Sequence, residues 1–233
     1  MSARIVQSSG PVTLVGGGEI GPSDLDDALA LAPTCVAADG GLGPVLRAGV
    51  QPAAVIGDFD SVAEDDLRRV PAALRHRVTE QDSTDFEKAL GAIDAPVVLA
   101  VGFLGARVDH QLAAMHTLIA VSSPPSLLLG ASEVIFHVPP ALDIPCAAGE
   151  VVSLFPLGPV TGRSQGLEWP IDGLDFAPGH LIGTSNRALE PVQLWMDGPG
   201  MIGIVPRRHL AALTQALAAA PRFSPRHAPS DAL

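Results

Sequence analysis

VTLVGGGEIGPSDLDDALALAPTCVAADGG, residues 12–41, holds two short apolar runs joined by a segment of helical spacing. Gly16, Gly18 and Gly21 spell G-x-G-x-x-G directly after the first run, and Asp39 closes the second. A glycine loop between strand and helix, with an acid after the next strand, is the pattern of a dinucleotide-binding βαβ unit. The residues beyond Asp39 decide whether that reading stands. The alternation continues to about residue 122, with strand-like AAVIGD, RHRVTEQD and PVVLAVGF separated by helix-like GLGPVLRAG, AEDDLRRV, TDFEKALGAI and VDHQLAAMHTLIA. Strands alternating with helices of this length predict a mostly parallel sheet with helices on both faces.

SSPPS at 122–126 breaks the rhythm. Beyond it lie short β-like runs punctuated by Pro and Gly (SLLLGA, EVIFHV, EVVSLFPL, HLIGTS, VQLWM, GMIGIV), then one helix, RRHLAALTQALAAA. Turn signals at this spacing predict an antiparallel sandwich or barrel. The expected fold is therefore α/β, an N-terminal mostly parallel sheet followed by a C-terminal antiparallel β-sandwich. The units expected are 1–123 and 124–220, with 221–233 a loose tail.

Composition narrows the function. Of 233 residues 47% are hydrophobic and 17% charged, which suits a globular core. No apolar run reaches the roughly 18–20 residues that span a bilayer, and MSARIVQSSG lacks the apolar centre of a secretory signal. Cys35 and Cys146 have no metal-binding spacing and supply no disulfide framework. A cytoplasmic protein without a membrane partner is expected. A net charge of −11 argues against nucleic acid, whose phosphates are gripped by clustered Lys and Arg. Thirteen of the fourteen basic residues are Arg; Lys88 is the single lysine.

The four expected strands after the first all lead to acids: Asp39, Asp58 with Asp60, Asp82 with Asp85, and Arg107 with Asp109. A parallel sheet gathers these ends at one edge. Carboxylates so close repel one another and persist only beside a cation or basic partners. Oxygen donors without clustered His or Cys suit Mg²⁺ or Ca²⁺ rather than zinc, and Mg²⁺ commonly arrives with substrate phosphates that would also recruit Arg107 and Lys88. Local roles compete. SVAE (61–64) and TDFE (84–87) fit the capping box, which accounts for Ser61, Glu64 and Glu87. The helix dipole alone would favour Asp85, and Asp39 equally suits a turn before Gly40. His110 and His116 read as core or surface residues rather than ligands. A dinucleotide site needs one acid after its second strand, whereas here acids recur at every later strand end. The glycine loop is accordingly read as a tight turn near a nucleotide, and the dehydrogenase reading falls away.

DGG (39–41), GDFDS (57–61), DSTDFEKAL (82–90) and GARVDH (105–110), in this order, resemble the thiamine pyrophosphokinase family, as do GLEWPI (166–171) and GTSN (183–186). The resemblance covers about residues 11–206. It implies an α/β catalytic domain followed by a β-sandwich, and a homodimer with thiamine between subunits. The implied reaction moves the terminal diphosphate of ATP to thiamine, giving thiamine diphosphate and AMP. It implies Mg²⁺-binding and catalytic acids at Asp58, Asp60 and Asp85. Nucleotide and substrate contacts are implied at Asp39, Ser61, Gln81, Asp82, Thr84, Lys88, Arg107 and Asp109. A thiamine pocket is implied at Trp169, Thr184, Ser185 and Asn186. The chain departs from the family pattern at Gly43 and Ala114, where the family usually carries Asn. Taken by itself, Trp169 reads equally as sandwich core or as a ring packed on a heteroaromatic cation, and Thr184 to Asn186 equally as a hydrogen-bonded turn. The alternatives are a diphosphokinase for another hydroxymethyl heterocycle, such as a pterin, and a non-catalytic nucleotide or thiamine sensor.

Overall fold

The structure is a computed structural model that describes residues 4–80, 82–105 and 107–224. In chain order it contains β1 (Val6–Gln7), β2 (Val12–Val15), α1 (Asp24–Leu31), β3 (Thr34–Ala38), α2 (Leu42–Arg47), β4 (Ala54–Gly57), α3 (Glu64–Arg68), β5 (Arg75–Arg77), α4 (Asp85–Gly91), β6 (Ile93–Asp94), β7 (Val98–Val101) and α5 (Val108–Ala120). Next come β8 (Ser126–Leu129), β9 (Glu133–His137), β10 (Ala141–Ile144), β11 (Val151–Pro156), β12 (Gly162–Leu167), β13 (Gly183–Met196), β14 (Met201–Pro206) and α6 (Leu210–Ala219).

The parallel half follows from its apolar strands. β2, β3, β4 and β7 are buried almost throughout, as strands covered by helices on both faces must be. Parallel pairs join β3 to β4, β4 to β5, β2 to β7 and β7 to β8, and β3 lies beside β2. Alternate residues face opposite layers: Leu14, Val36 and Ile56 pack with α4 and α5, whereas Val15, Cys35 and Val55 pack with α1 and α2. The chain proceeds outward from β2 to β5 on one side and returns to β7 on the other. Strand order therefore reverses at β2, and open α/β sheets bind ligands beyond the carboxyl ends at that switch point.

The second half shares this sheet. β8 pairs parallel with β7 and antiparallel with β9, and antiparallel pairing continues through β14 and β11 to the first part of β13. The second part of β13 leaves that layer and pairs with β10 on one side and β12 on the other, which makes the facing layer of the sandwich. GTSNRALEPVQLWM is thus one 14-residue strand, where sequence spacing suggested two. The strands β10 and β12, and the small parallel pair β1–β6, carried too weak a pattern to be read. One core runs from Ala28 of α1 and Ala32 just beyond it under the sheet to Phe136, Leu154 and Leu194 and on to Leu213 and Leu217 of α6. Among the described residues no helix is long and apolar enough to cross a membrane.

Candidate active site

Three loops converge beyond the carboxyl ends of β2, β3 and β7. Gly16 N–H donates to the Val101 carbonyl at 2.8 Å and Gly18 N–H to that of Gly102 at 2.9 Å. A Cβ on Gly16 or Gly18 would stand 2.7 Å from the Gly102 oxygen, and one on Gly41 only 1.9 Å from the Val15 oxygen. These glycines let main chain lie against main chain. The G-x-G-x-x-G run thus closes the floor of the crevice by loop-to-loop packing.

Asp39 opens a 3₁₀ turn, Asp39–Gly41, and is buried with φ at 43°, a conformation that non-glycine residues adopt mostly where the surroundings enforce it. Its enforcement is visible. The Phe59 N–H donates to Oδ1 at 2.9 Å and the Ser61 N–H to Oδ2 at 3.3 Å, so one buried carboxylate organises the whole GDFDS loop. Within that loop the Asp60 N–H donates to Asp58 Oδ1 at 3.1 Å and the Ser61 hydroxyl to Asp60 Oδ1 at 2.8 Å. Carboxylate oxygens of Asp39, Asp58 and Asp60 come within 4.8 Å of one another. Ser61 does not cap a helix. α3 begins after Ala63, two residues later than the capping-box pattern indicated, because Ser61 is held by Asp39 and Asp60 instead.

α4 carries the next acids. Thr84 caps it, its hydroxyl accepting from the Glu87 N–H at 3.2 Å, as TDFE predicted. Asp85 sits in the first turn. Burial, then the charge of Asp39, pushes its carboxyl above the ordinary range; Lys88 opposes this, and Asp58 and Asp60 add to it. Those couplings join Asp85 to the other three acids as one electrostatic unit. Lys88 Nζ lies 3.7 Å from Asp85 Oδ1 with its side chain only 5% exposed, so the chain's one lysine is packed beneath the acids. Asp82 and Thr84 are exposed beside them; Gln81 lies outside the described residues.

At the start of α5, Arg107 Nε donates to Asp109 Oδ1 at 3.1 Å and an amino group to Oδ2 at 2.5 Å. Both side chains are open to solvent, and the hydrogen bond from Arg107 holds Asp109 down at about 2. His110 and His116 are exposed. Sequence reasoning missed Arg77, whose Nε donates to the Asp58 carbonyl at 3.1 Å. Its signal was its place at the end of a strand too short and polar to weigh.

In the second half Asn186 is buried and holds the segment that follows β12. Its Oδ1 accepts from the N–H groups of Trp169 (3.2 Å) and Arg187 (2.8 Å), and its Nδ2 donates to the Trp169 carbonyl at 2.7 Å. Ser185 has φ at 62° and its N–H donates to Ser153 Oγ at 2.9 Å. Thr184 and Ser185 are exposed, and Trp169 is 56% exposed, so its ring does not fill the sandwich core. Of the two departures from the family pattern, Ala114 is buried against the sheet and Gly43 lies in α2 close to Arg47.

Fold and site together define an α/β sheet with an acidic carboxyl edge, continuous with an antiparallel sandwich that displays a tryptophan. Residues 25–127 match the family model for the thiamin pyrophosphokinase catalytic domain, and residues 133–197 match that for the thiamin pyrophosphokinase vitamin B1 binding domain. The chain belongs to the thiamine pyrophosphokinase family. It is 27% identical over 160 residues to thiamine pyrophosphokinase 1 of Oryza sativa subsp. japonica, a match covering 60% of this chain and 61% of that protein. A shorter match, 35% over 83 residues, joins it to thiamine pyrophosphokinase of Bacillus subtilis (strain 168) and covers 33% of this chain and 39% of that one. Among solved structures, thiamin pyrophosphokinase from Candida albicans superposes with a TM-score of 0.70 at 15% identity, covering 88% of this chain and 95% of the other. The Bacillus subtilis thiamine pyrophosphokinase structure gives 0.68 at 22% identity over 84% and 98% of the two chains. These likenesses establish the shared fold.

Proposed function

We propose that this chain is a thiamine pyrophosphokinase that transfers the diphosphate of ATP to the hydroxyl of thiamine, releasing AMP. The observation that carries the reading is the convergence of Asp39, Asp58 and Asp60 at the carboxyl edge of the sheet, electrostatically coupled to Asp85 and its buried partner Lys88, in a chain matched by both family domains. The residues 1–123 are read as the catalytic unit and 124–220 as the thiamine-binding and dimerisation unit, in the cytoplasm.

The donor set fits Mg²⁺. The donors grouped there, from Asp39, Asp58 and Asp60, are carboxylate oxygens, hard ligands, and no thiol or imidazole joins that group among the described residues. Asp39 is occupied with the loop, which leaves Asp58, Asp60 and Asp85 to hold the ion. A bound Mg²⁺ would neutralise phosphate oxygens as charge develops on them. The chain's own residues do the rest. The thiamine oxygen forms a bond to the β-phosphorus as the bond from that phosphorus to the α,β-bridging oxygen breaks, and AMP leaves with that oxygen. The hydroxyl proton passes to a carboxylate. Asp85 suits this better than Asp109, because both Asp109 oxygens are engaged by Arg107. Lys88 and Arg107 stabilise the phosphate charge, and positioning with electrostatics supplies most of the acceleration in such transfers.

Thiamine is a flat cationic heterocycle, and the exposed ring of Trp169, whose main chain Asn186 holds, presents an aromatic face to it. Thr184 and Ser185 offer hydroxyls nearby in sequence. A homodimer is supported by apolar side chains left in water: Val151 and Phe155 on β11, and Val108 and Leu112 on α5. Thiamine diphosphate formation by Asp58→Asn and Asp60→Asn tests the metal-holding role. Each is expected to lose about 100-fold or more in turnover at saturating Mg²⁺; near wild-type rates would remove these acids from the site.

A further inference from the structure

We propose that Arg77 is a further nucleotide-binding residue of this edge, whose guanidinium receives the triphosphate of the donor nucleotide. The inference rests on the nucleotide-dependent reading above and adds a residue that no family motif in the chain contains.

Arg77 is the last residue of β5. Parallel pairing sets it level with Gly57, one residue before Asp58 at the carboxyl edge. Its Nε donates to the Asp58 carbonyl, which fixes the plane of the guanidinium against the GDFDS main chain. The terminal amino groups have no hydrogen-bonding or ion-pair partner among the described residues, although the side chain is exposed beside an acidic loop. Lys88 and Arg107, the cations read above as stabilising the phosphates, each also face a carboxylate, Asp85 and Asp109, whereas the amino groups of Arg77 do not. A guanidinium anchored by Nε and open at its two amino groups matches the fork geometry that binds phosphate bidentately. It also answers an electrostatic need. A triphosphate entering a carboxylate-lined crevice requires cationic donors beyond the metal, and Arg77 is attached to the same loop that carries Asp58 and Asp60.

A merely structural role would be to staple β5 to that loop, and three measurements separate the two. For Arg77→Gln, MgATP affinity by calorimetry is expected to fall about tenfold, AMP affinity and thiamine KM to move less than about twofold, and Arg77→Lys to recover part of the loss. Mn²⁺ affinity without nucleotide is expected to be unchanged. Unaltered MgATP affinity in Arg77→Gln would overturn the proposal. So would a parallel loss of Mn²⁺ affinity, which would mean that Arg77 acts only by holding the metal loop. Wild-type protein that binds no MgATP would overturn the nucleotide-dependent reading itself, a result distinct from both.

Discussion

Asn186 and Asp39 do comparable work in the two halves of the chain. Each is a buried side chain whose oxygens receive main-chain N–H groups of a loop that carries a proposed site residue. Asn186→Ala leaves the N–H groups of Trp169 and Arg187 without that acceptor, and should cost about 1–3 kcal/mol in urea unfolding while raising thiamine KM. The thiols give a second residue-scale prediction. Burial pushes Cys35 up to about 12, and burial with Glu150 alongside pushes Cys146 up to about 11, from an ordinary 9.0. The thiolate is the reactive form, so at pH 8 only about one molecule in a thousand, or fewer, presents it at either position. A disulfide reagent should therefore titrate neither thiol in native protein and both in denaturant. Because the unfolded chain releases these protons first, stability falls as pH rises from about 9 to about 12. The acidic strand ends were legible in the sequence because a parallel sheet collects them whatever its exact order. The exposure of Trp169 was not, since an indole satisfies a core and a surface pocket equally well by pattern alone.

Local signals read well where they answer to local physics and less well where tertiary contacts compete. The Thr84 cap formed where TDFE placed it, but Ser61 was drawn away by Asp39, an acid 22 residues distant. β13 was unreadable as one strand because Pro191 interrupts it and its two parts serve different layers. The glycine loop, read as a tight turn despite a spacing that matches a phosphate-binding turn, makes its contacts with other loops. Gly41 is the sharpest instance. A methyl group there would overlap the Val15 carbonyl, so Gly41→Ala should cost more than about 3 kcal/mol and abolish activity. Retention of full stability in a thermal melt would show that the Asp39 turn can withdraw from β2.

Over the whole molecule, one sheet and one core cross the region near residue 123 where composition shifts. A change of rhythm from helix–strand to strand–strand is visible in a sequence; the pairing of β7 with β8 across it is not. Arg207, at the end of β14, adds a polar tie: it pairs with Asp24 and Asp27 of α1 and donates to the Gly130 carbonyl at 3.1 Å. Asp24 is nearly buried, so Arg207→Met strands its charge and should cost about 3 kcal/mol. Because the two halves share sheet and core, calorimetry should show one cooperative transition, shifted down intact in that variant. Two separated transitions would mean that the halves unfold independently.

The central claim is tested most directly by incubating the purified protein with thiamine, ATP and Mg²⁺ and separating the nucleotide products. AMP formed in step with thiamine diphosphate, and abolished by chelator, is the predicted result. ADP with thiamine monophosphate, or no conversion of thiamine at all, would contradict it.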